Sequence, residues 1–149
     1  MEINVSIRSI LSQKPSRIHT IRPDSTVFEA IQSMADKNIG ALLVLEGNRL
    51  LGVISERDYT RKVALKGRSS KETPVREIIA TPPVVATPED SVEDCMKLMT
   101  SHRIRHLPVL QDGQLIGVVS IGDLINWLIS AQNHAIQQLE TYISGQYPG

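Results

Sequence analysis

The chain has 149 residues, which is enough for one domain with a substantial hydrophobic core. Hydrophobic residues make up 41% and charged residues 21%, so the composition is that of a globular protein and excludes a disordered chain. Sixteen lysines and arginines balance sixteen aspartates and glutamates, and aromatic residues make up 3%. Because nucleic-acid-binding proteins carry excess positive charge and stacking side chains, we expect no nucleic-acid partner.

The single cysteine, Cys95, excludes an intrachain disulfide and a cysteine-based zinc cluster. The longest uninterrupted apolar run, residues 41–45, is far shorter than the roughly 18 residues that a membrane span needs. Residues 1–4 show neither the basic nor the apolar part of a secretory signal. We therefore expect a protein of the reducing cytoplasm that has no membrane partner.

The chain contains an internal repeat. With a shift of 65 residues, segment 23–58 aligns without a gap on segment 88–123, and twelve of the 36 aligned pairs are identical. The identical pairs include Gly52 with Gly117 and Asp58 with Asp123. Two copies of one supersecondary unit are therefore predicted, arranged as a closed pseudo-twofold pair rather than as an extended solenoid.

Each copy begins with a predicted strand and helix. Short strands are expected over residues 17–21 and 84–86, and capping boxes starting at Thr26 and Ser91 then open the helices. Apolar residues follow at positions i, i+3, i+4 and i+7, which predicts one buried stripe on each helix. The stripes consist of Val27, Ala30, Ile31 and Met34 in the first copy and Val92, Cys95, Met96 and Met99 in the second.

A hairpin and a second helix complete each copy. Apolar runs over residues 41–45 and 50–54 flank Gly47-Asn48, and runs over 107–110 and 115–119 flank Asp112-Gly113, as in β-hairpins. Ser55 and Ser120 are predicted to start the last helices. The unit is thus β-α-β-β-α, the fold class is mixed α/β (α+β), and a long apolar-patterned C-terminal helix follows the second copy. We predict repeat 1 over residues 10–66, a connector over 67–74, repeat 2 over 75–130, and a helix and tail over 131–149.

The same motif, Gly-x-x-Ser-x-x-Asp, ends the hairpin of both copies: it runs from Gly52 to Asp58 and from Gly117 to Asp123. Glycine in a strand permits close approach of another chain or a ligand. A serine at a helix N-cap lies beside free N–H groups that favour anions, and a carboxylate three residues later can accept two hydrogen bonds from a ribose diol. Alternatively, serine and aspartate at this spacing form an ordinary capping pair.

This duplicated unit, with both motif endings, resembles a tandem pair of CBS domains, or Bateman module, over residues from about 10 to 130. It is similar to small stand-alone bacterial CBS-domain proteins, which carry no catalytic domain. The resemblance implies that Asp58 and Asp123 hold ribose hydroxyls and that Ser55 and Ser120 lie near ribose or phosphate. It further implies that the adenine pockets are lined near Thr20, Val85, Gly40, Ala41 and His106.

Two clusters of cationic residues are candidates for phosphate binding, since arginine matches phosphate oxygens geometrically. Arg57, Arg61 and Lys62 follow the first motif, and Arg103, Arg105 and His106 precede the second copy's hairpin. The first of these clusters is equally well explained as a solvated helix face. Because the first copy has Gly40 and Ala41 where the second has Arg105 and His106, we expect two sites of different affinity or selectivity.

These observations favour a regulatory, signal-transducing module. By resemblance, its ligands are AMP, ADP or ATP, with NAD(H) and S-adenosylmethionine as further candidates, and it forms a homodimer that acts on a regulated protein the sequence does not identify. The alternative is a nucleotide-free scaffold for dimerisation and protein interaction. We expect no catalysis and no metal site, since His102 and His106 have no third ligand and Cys95 falls on a buried stripe.

Overall fold

The computed structural model of the protein describes residues 5–13 and 18–143. Within these ranges the chain forms five α-helices and five strands. In chain order they are α1 (Ile7–Gln13), β1 (Thr20–Ile21), α2 (Val27–Lys37), β2 (Ala41–Glu46), β3 (Arg49–Ser55), α3 (Glu56–Tyr59), α4 (Val92–His102), β4 (His106–Gln111), β5 (Gln114–Ser120) and α5 (Ile121–Ile143). A π-helical turn (Thr60–Ala64) continues α3, and a 3-10 turn (Val75–Glu77) lies at the start of the second repeat. A helix able to cross a membrane was not found among the described residues.

The two hairpins share one register. Strand β2 pairs antiparallel with β3 and strand β4 with β5, so that Gly52 lies opposite Val44 and Gly117 lies opposite Val109. Both ladders shift register directly after that valine. The predicted mixed α/β fold with two equivalent hairpins is therefore confirmed.

The first strand of each unit is shorter than predicted. Strand β1 pairs parallel with β2 over two residues, and Leu43 N donates to His19 O at 3.0 Å. In the second copy, the prediction of a strand over residues 84–86 is wrong. A single parallel bridge between Ala86 and Val109 is found in place of that strand. The position equivalent to Leu43 is Pro108, which has no N–H to donate, so the parallel ladder cannot extend there. Residue 17 lies outside the described residues.

The helices α2 and α4 begin where the capping pattern predicts. Ser91 Oγ accepts from Asp94 N at 3.0 Å, and the Asp94 carboxylate accepts from Ser91 N at 3.3 Å, which completes a capping box. At α2 the N-cap forms, since Thr26 Oγ1 accepts from Glu29 N at 3.1 Å, but the predicted capping box does not: the Glu29 carboxylate accepts from the Thr26 hydroxyl, at 3.2 Å, instead of from its backbone N–H. Each predicted stripe faces a core; Ile31 and Met96 are half-buried, and the other six stripe residues are buried.

The N-terminal segments of the two repeats are exchanged between them. Ile7 and Ile10 of α1, at the start of the first repeat, are buried in the core of the second. Val75 and Ile78, at the start of the second repeat, are buried in the core of the first. Sequence analysis did not predict α1, whose apolar residues occupy fewer than two turns.

Equivalent backbone hydrogen bonds hold the two exchanged segments in place. Ile7 N donates to Asp90 O at 2.9 Å, and Val75 N donates to Ser25 O at 2.8 Å. Because residues 25 and 90 are counterparts in the repeat, both segments dock in the same manner, which supports the predicted pseudo-twofold relation. Neither repeat has a complete core without residues from the other side of the molecule.

The connector packs against the start of α2. Val27 N donates to Thr73 O at 2.8 Å, and Phe28 N donates to Ser70 O at 3.0 Å. The Lys71 ammonium lies 4.9 Å from the centroid of the Phe28 ring, a cation–π contact. The connector is thus tied to the first repeat by backbone and side-chain contacts. The exact boundaries of the repeats and the connector stay a prediction.

Candidate functional site

A cavity of about 460 Å³ lies between the two repeats. Three parts of the chain form it: the end of β3 with the helix that follows, the segment at the start of the second repeat, and the turn that enters β4. The lining residues are Gly40, Val53, Ser55, Glu56, Arg57, Asp58, Arg61, Lys62, Ala80, Pro82, Pro83, Val84, Arg103, Ile104, Arg105 and His106. Both repeats therefore contribute side chains to one site.

Asp58 is fixed in orientation by its neighbours. Ser55 donates to Asp58 Oδ2 through its backbone N–H at 2.9 Å and through its hydroxyl at 3.0 Å, and Asp58 N donates back to Ser55 Oγ at 3.3 Å. The other carboxylate oxygen, Oδ1, lies 3.4 Å from Lys62 Nζ. The ammonium of Lys62 also donates to Ile78 O at 2.8 Å, which ties the helix to the exchanged segment. The Asp58 side chain is 25% exposed, so its orientation is set while it stays accessible from the cavity.

The cavity collects positive charge. Its lining includes five lysine and arginine side chains against two carboxylates, a formal excess of three positive charges in a chain whose net charge is zero. Three of the cations follow β3 and two precede β4, so both clusters found in the sequence face the same cavity. A cavity lined by one sign of charge raises the local concentration of oppositely charged ligands. The site therefore favours an anionic ligand.

The turn into β4 places two arginines at the cavity. Arg103 is the C-cap of α4 and has a left-handed backbone with φ 54°, and its counterpart Asn38 caps α2 in the same conformation. Asparagine adopts this left-handed conformation more readily than arginine. A preference for capping the helix therefore does not explain the arginine at position 103. The next arginine, Arg105, accepts through its carbonyl from Ile121 N at 2.8 Å, which anchors the turn to the start of α5.

Eight of the thirteen residues predicted for ligand binding line this cavity: Gly40, Ser55, Arg57, Asp58, Arg61, Arg103, Arg105 and His106. Of the others, Thr20 begins β1 and Ala41 begins β2. Val85 follows the lining residue Val84 but is not itself part of the lining. The remaining two, Ser120 and Asp123, lie at the start of α5.

Ser120 and Asp123 repeat the capping arrangement of the first copy. Ser120 N donates to Asp123 Oδ2 at 2.8 Å, and Asp123 N donates to Ser120 Oγ at 3.1 Å. Their surroundings differ, however, because none of the five cavity cations has a charged counterpart in the repeat. The counterparts are Gly122, Asn126, Trp127, Asn38 and Gly40. Residues 14–17, which precede β1, lie outside the described residues.

Sequence reasoning missed the side of the cavity formed by residues 80–84. This segment belongs to the N-terminal part of the second repeat and packs beside β3 of the first, where a Cβ on Gly52 would lie 3.0 Å from Ala80 O. The predicted close approach of another chain segment to this glycine is thereby confirmed. Lys62 was predicted to bind phosphate or, equally, to lie on a solvated helix face. Its ion pair with Asp58 was not predicted, although a position four residues after Asp58 on one helix signals it.

Two α/β repeats that enclose a shared cavity define a class of duplicated two-repeat modules. The CBS-domain family model matches this chain twice, over residues 7–65 and 75–130. The chain belongs to the CBS-domain family and contains a tandem pair of these domains, which confirms the resemblance found in its sequence. Proteins of this family are regulatory and signal-transduction modules.

Individual relatives agree with this assignment. A mitochondrial CBS domain-containing protein of Arabidopsis thaliana, CBSX3, is 44% identical over 129 residues, which cover 83% of this chain and 63% of the relative. The structure of a protein with CBS domains from Burkholderia ambifaria MC40-6 is 47% identical with a TM-score of 0.82, covering 86% of this chain and 96% of that one. A hexameric CBS-CP12 protein from bloom-forming cyanobacteria is 33% identical with a TM-score of 0.70, covering 81% and 69% of the respective chains.

Proposed function

We propose that this chain is a regulatory module that binds an adenosine-containing nucleotide in the cavity between its CBS repeats. The observation that carries the proposal is the position of Asp58, an oriented and accessible carboxylate that shares one cavity with five cationic side chains. The candidate ligands are AMP, ADP, ATP and NAD(H), followed by S-adenosylmethionine. The module carries out no catalysis of its own and transmits the bound state to a regulated protein in a reducing compartment such as the cytoplasm.

The ribose is assigned to Asp58. Its Oδ2 accepts the capping hydrogen bonds from Ser55, while Oδ1 is bonded only loosely to Lys62, at 3.4 Å. A carboxylate oxygen has two acceptor directions, so Oδ1 retains capacity for a ribose hydroxyl beside the ammonium. Hydrogen bonds to a charged acceptor contribute more than those between neutral groups, so this contact anchors the sugar.

The phosphates are assigned to the arginines. Arg57 and Arg61 reach the cavity from one side, and Arg103 and Arg105 reach it from the other. Guanidinium groups bind phosphate oxygens in a bidentate manner. The positive excess also ranks the ligands: it favours those that bear phosphate over S-adenosylmethionine, whose sulfonium is cationic.

The volume and apolar lining suit the base. A cavity of about 460 Å³ lies in the ordinary range for small-molecule sites, roughly 300–1,000 Å³. Apolar surface is supplied by Val53, Pro83 and Ile104, and an adenine ring packs against such side chains. Backbone groups near Gly40 and His106 form hydrogen bonds with the edge of the ring.

Binding between two repeats offers a route to regulation. A ligand shifts a conformational equilibrium only by its differential affinity for the two states. Because the cavity is formed by both repeats, a nucleotide that contacts Asp58 on one side and Arg105 on the other favours one relative placement of the repeats. In a homodimer, which we also propose, that placement is passed to the second copy.

Calorimetric titration with AMP, ADP, ATP, NAD(H) and S-adenosylmethionine tests the proposal. Asp58→Ala is expected to weaken nucleotide binding about tenfold or more, since it removes a charged hydrogen-bond acceptor. Asp94→Ala is the matched control, because it removes the equivalent capping carboxylate of α4, which does not line the cavity. Arg105→Ala is expected to weaken ATP binding more than AMP binding, whereas Arg49→Ala, which removes the same charge outside the lining, is expected to leave both unchanged.

Two results would contradict the proposal. If Asp58→Ala binds nucleotide as tightly as the unaltered chain while Asp123→Ala does not, the site is at the second motif instead. If none of the adenosine compounds binds, the nucleotide-free scaffold replaces the regulatory sensor. Measuring nucleotide breakdown in the same samples tests the absence of catalysis.

A further inference from the structure

Helix α5 exposes a stripe of large apolar side chains. Within residues 121–143, Leu124 is the buried residue, and beyond it the helix extends away from the core of the second repeat. Five aliphatic residues after Leu124 are between 45% and 74% exposed: Ile125, Ile129, Ile136, Leu139 and Ile143. Such a stripe is costly in water, because apolar surface gains free energy when it is removed from solvent.

The spacing of the stripe is that of a coiled coil. Together with Gln132, the exposed residues recur at alternating intervals of four and three, the heptad pattern in which two positions face a partner helix. The first core position of the heptad is occupied by Ile129, Ile136 and Ile143. The second core position is occupied by Ile125, Gln132 and Leu139. This pattern matches another helix with the same periodicity.

The rest of the helix indicates which partner fits. From residue 124 to residue 143, Glu140 is the one aspartate, glutamate, lysine or arginine in the sequence. A solvated helix ordinarily carries charged residues on its outer faces, and coiled coils between different chains use charges beside the core to select each other. A helix with almost no charge does not repel a second copy of itself electrostatically. The face formed by the six heptad core residues, here called the seam, is therefore self-complementary.

We propose that α5 pairs with α5 of a second copy as a parallel two-stranded coiled coil over residues 125–143, about 28 Å long at 1.5 Å per residue. Isoleucine at all three first core positions, together with Leu139 at the second, follows the pattern that favours two parallel strands. Parallel pairing also places Gln132 opposite Gln132 of the second copy, so that the two amides hydrogen-bond each other. Antiparallel pairing over the same residues would place Gln132 opposite Ile136 and leave a buried amide unpaired, which is unfavourable. This inference does not depend on nucleotide binding.

Site-specific disulfide formation tests the pairing and its direction. In the full chain, Gln132→Cys is expected to form a covalent dimer rapidly under mild oxidation at low protein concentration, because the two thiols face each other. His134→Cys is the matched control: it is exposed, two residues away, and outside the seam. The native Cys95 is buried and gives no background. Equal cross-linking at 132 and 134, or none at 132, would overturn the proposal.

Sedimentation over a concentration series supplies the second measurement. Ile136→Glu is expected to shift the chain from dimer towards monomer by at least tenfold in dissociation constant, whereas Gln137→Glu, which adds the same charge beside the seam, is expected to leave the dimer intact. Far-UV circular dichroism checks that both variants remain folded. An unaltered chain that sediments as a monomer at all concentrations would overturn the proposal and leave the stripe for a different protein. Unchanged mass for Ile136→Glu would also overturn it.

Discussion

Asp58, Asp94 and Asp123 occupy the same local arrangement but do not have the same surroundings. Each accepts a hydrogen bond from the backbone N–H of a serine three residues earlier, at 2.9, 3.3 and 2.8 Å respectively. Of these three carboxylates, only Asp58 lines the cavity, in company with the cationic residues. The capping role and the proposed ligand role are therefore compatible, and it is the neighbouring charge that distinguishes the candidate site from an ordinary helix start.

The thiol of Cys95 is predicted to make stability depend on pH in the alkaline range. Burial raises the pKa of this thiol from 9.0 to about 12, with further contributions from the carboxylates of Asp90 and Asp94. Since the unfolded chain releases the thiol proton near pH 9 and the folded chain retains it, the neutral thiol stabilises the fold below pH 9. This contribution is lost as the pH rises from about 9 to about 12.

Urea unfolding at a series of alkaline pH values measures this effect. Cys95→Ala is the comparison, because the counterpart of Cys95 in the first repeat is Ala30. The free energy of unfolding of the unaltered chain is expected to fall more steeply between pH 9 and pH 12 than that of the variant. Parallel curves for the two proteins would show that the thiol titrates normally in the fold.

At the scale of elements, the two hairpin glycines are predicted to differ in their tolerance of alanine. A Cβ on Gly52 would lie 3.0 Å from the backbone oxygen of Ala80 and 3.1 Å from Ile79 Cδ1, whereas a Cβ on Gly117 would meet only the side chain of Leu11, at 2.9 Å. A backbone segment cannot move aside as a leucine rotamer can. Gly52→Ala is therefore expected to destabilise the fold by about 1–3 kcal/mol.

For Gly117→Ala, a smaller cost of roughly 0.5–1.5 kcal/mol is expected, because Leu11 can adopt another rotamer. Both substitutions equally reduce the freedom of the unfolded chain, so that effect cancels in the comparison. Chemical denaturation of the two variants side by side gives the ranking. Equal losses, or a larger loss for Gly117→Ala, would mean that the exchanged segment at residues 79–80 yields as easily as a side chain.

The elements that sequence analysis predicted well are those specified by nearby residues. Helices α2 and α4 start at Thr26 and Ser91 because a cap needs only its own first turn. The hairpin turn at Asp112-Gly113 follows from the positive φ that both residues adopt. By contrast, the strand predicted over residues 84–86 depends on its partner strand, in which Pro108 removes a donor, and a local pattern does not contain that information.

The candidate site was predicted only in part, because some of its features are specified by nearby residues and others by distant ones. The motif ending at Asp58 and the arginines at 103 and 105 are visible in the sequence as separate features, and the resemblance to CBS domains connected them to a ligand. That both cationic clusters face one cavity depends on the packing of one repeat against the other. The lining at residues 80–84 depends on the exchange of segments between repeats, and α1 was missed because Ile7 and Ile10 find their partners about 80 residues away.

At the scale of the whole molecule, the exchanged segments make the two repeats one folding unit. The first core contains Val75 and Ile78 from the start of the second repeat, and the second core contains Ile7 and Ile10 from the start of the first. Unfolding either repeat therefore removes buried side chains from the core of the other. Such mutual dependence is the condition for a single cooperative transition, and it also gives a ligand in the shared cavity influence over both halves.

The coupling can be measured with one tryptophan and one distant substitution. Trp127 is the single tryptophan and packs against the second core, so its fluorescence reports on the second repeat. Met34 is buried in the first core, and Met34→Ala is expected to destabilise the chain by roughly 2–5 kcal/mol. If the repeats unfold together, the Trp127 fluorescence midpoint in urea falls as far as the midpoint of far-UV circular dichroism. Leu65→Ala, at a side chain that is largely exposed, is expected to move neither midpoint appreciably. A Trp127 midpoint that stays in place while the circular dichroism curve separates into two steps would show that the exchanged segments do not bind the repeats into one unit.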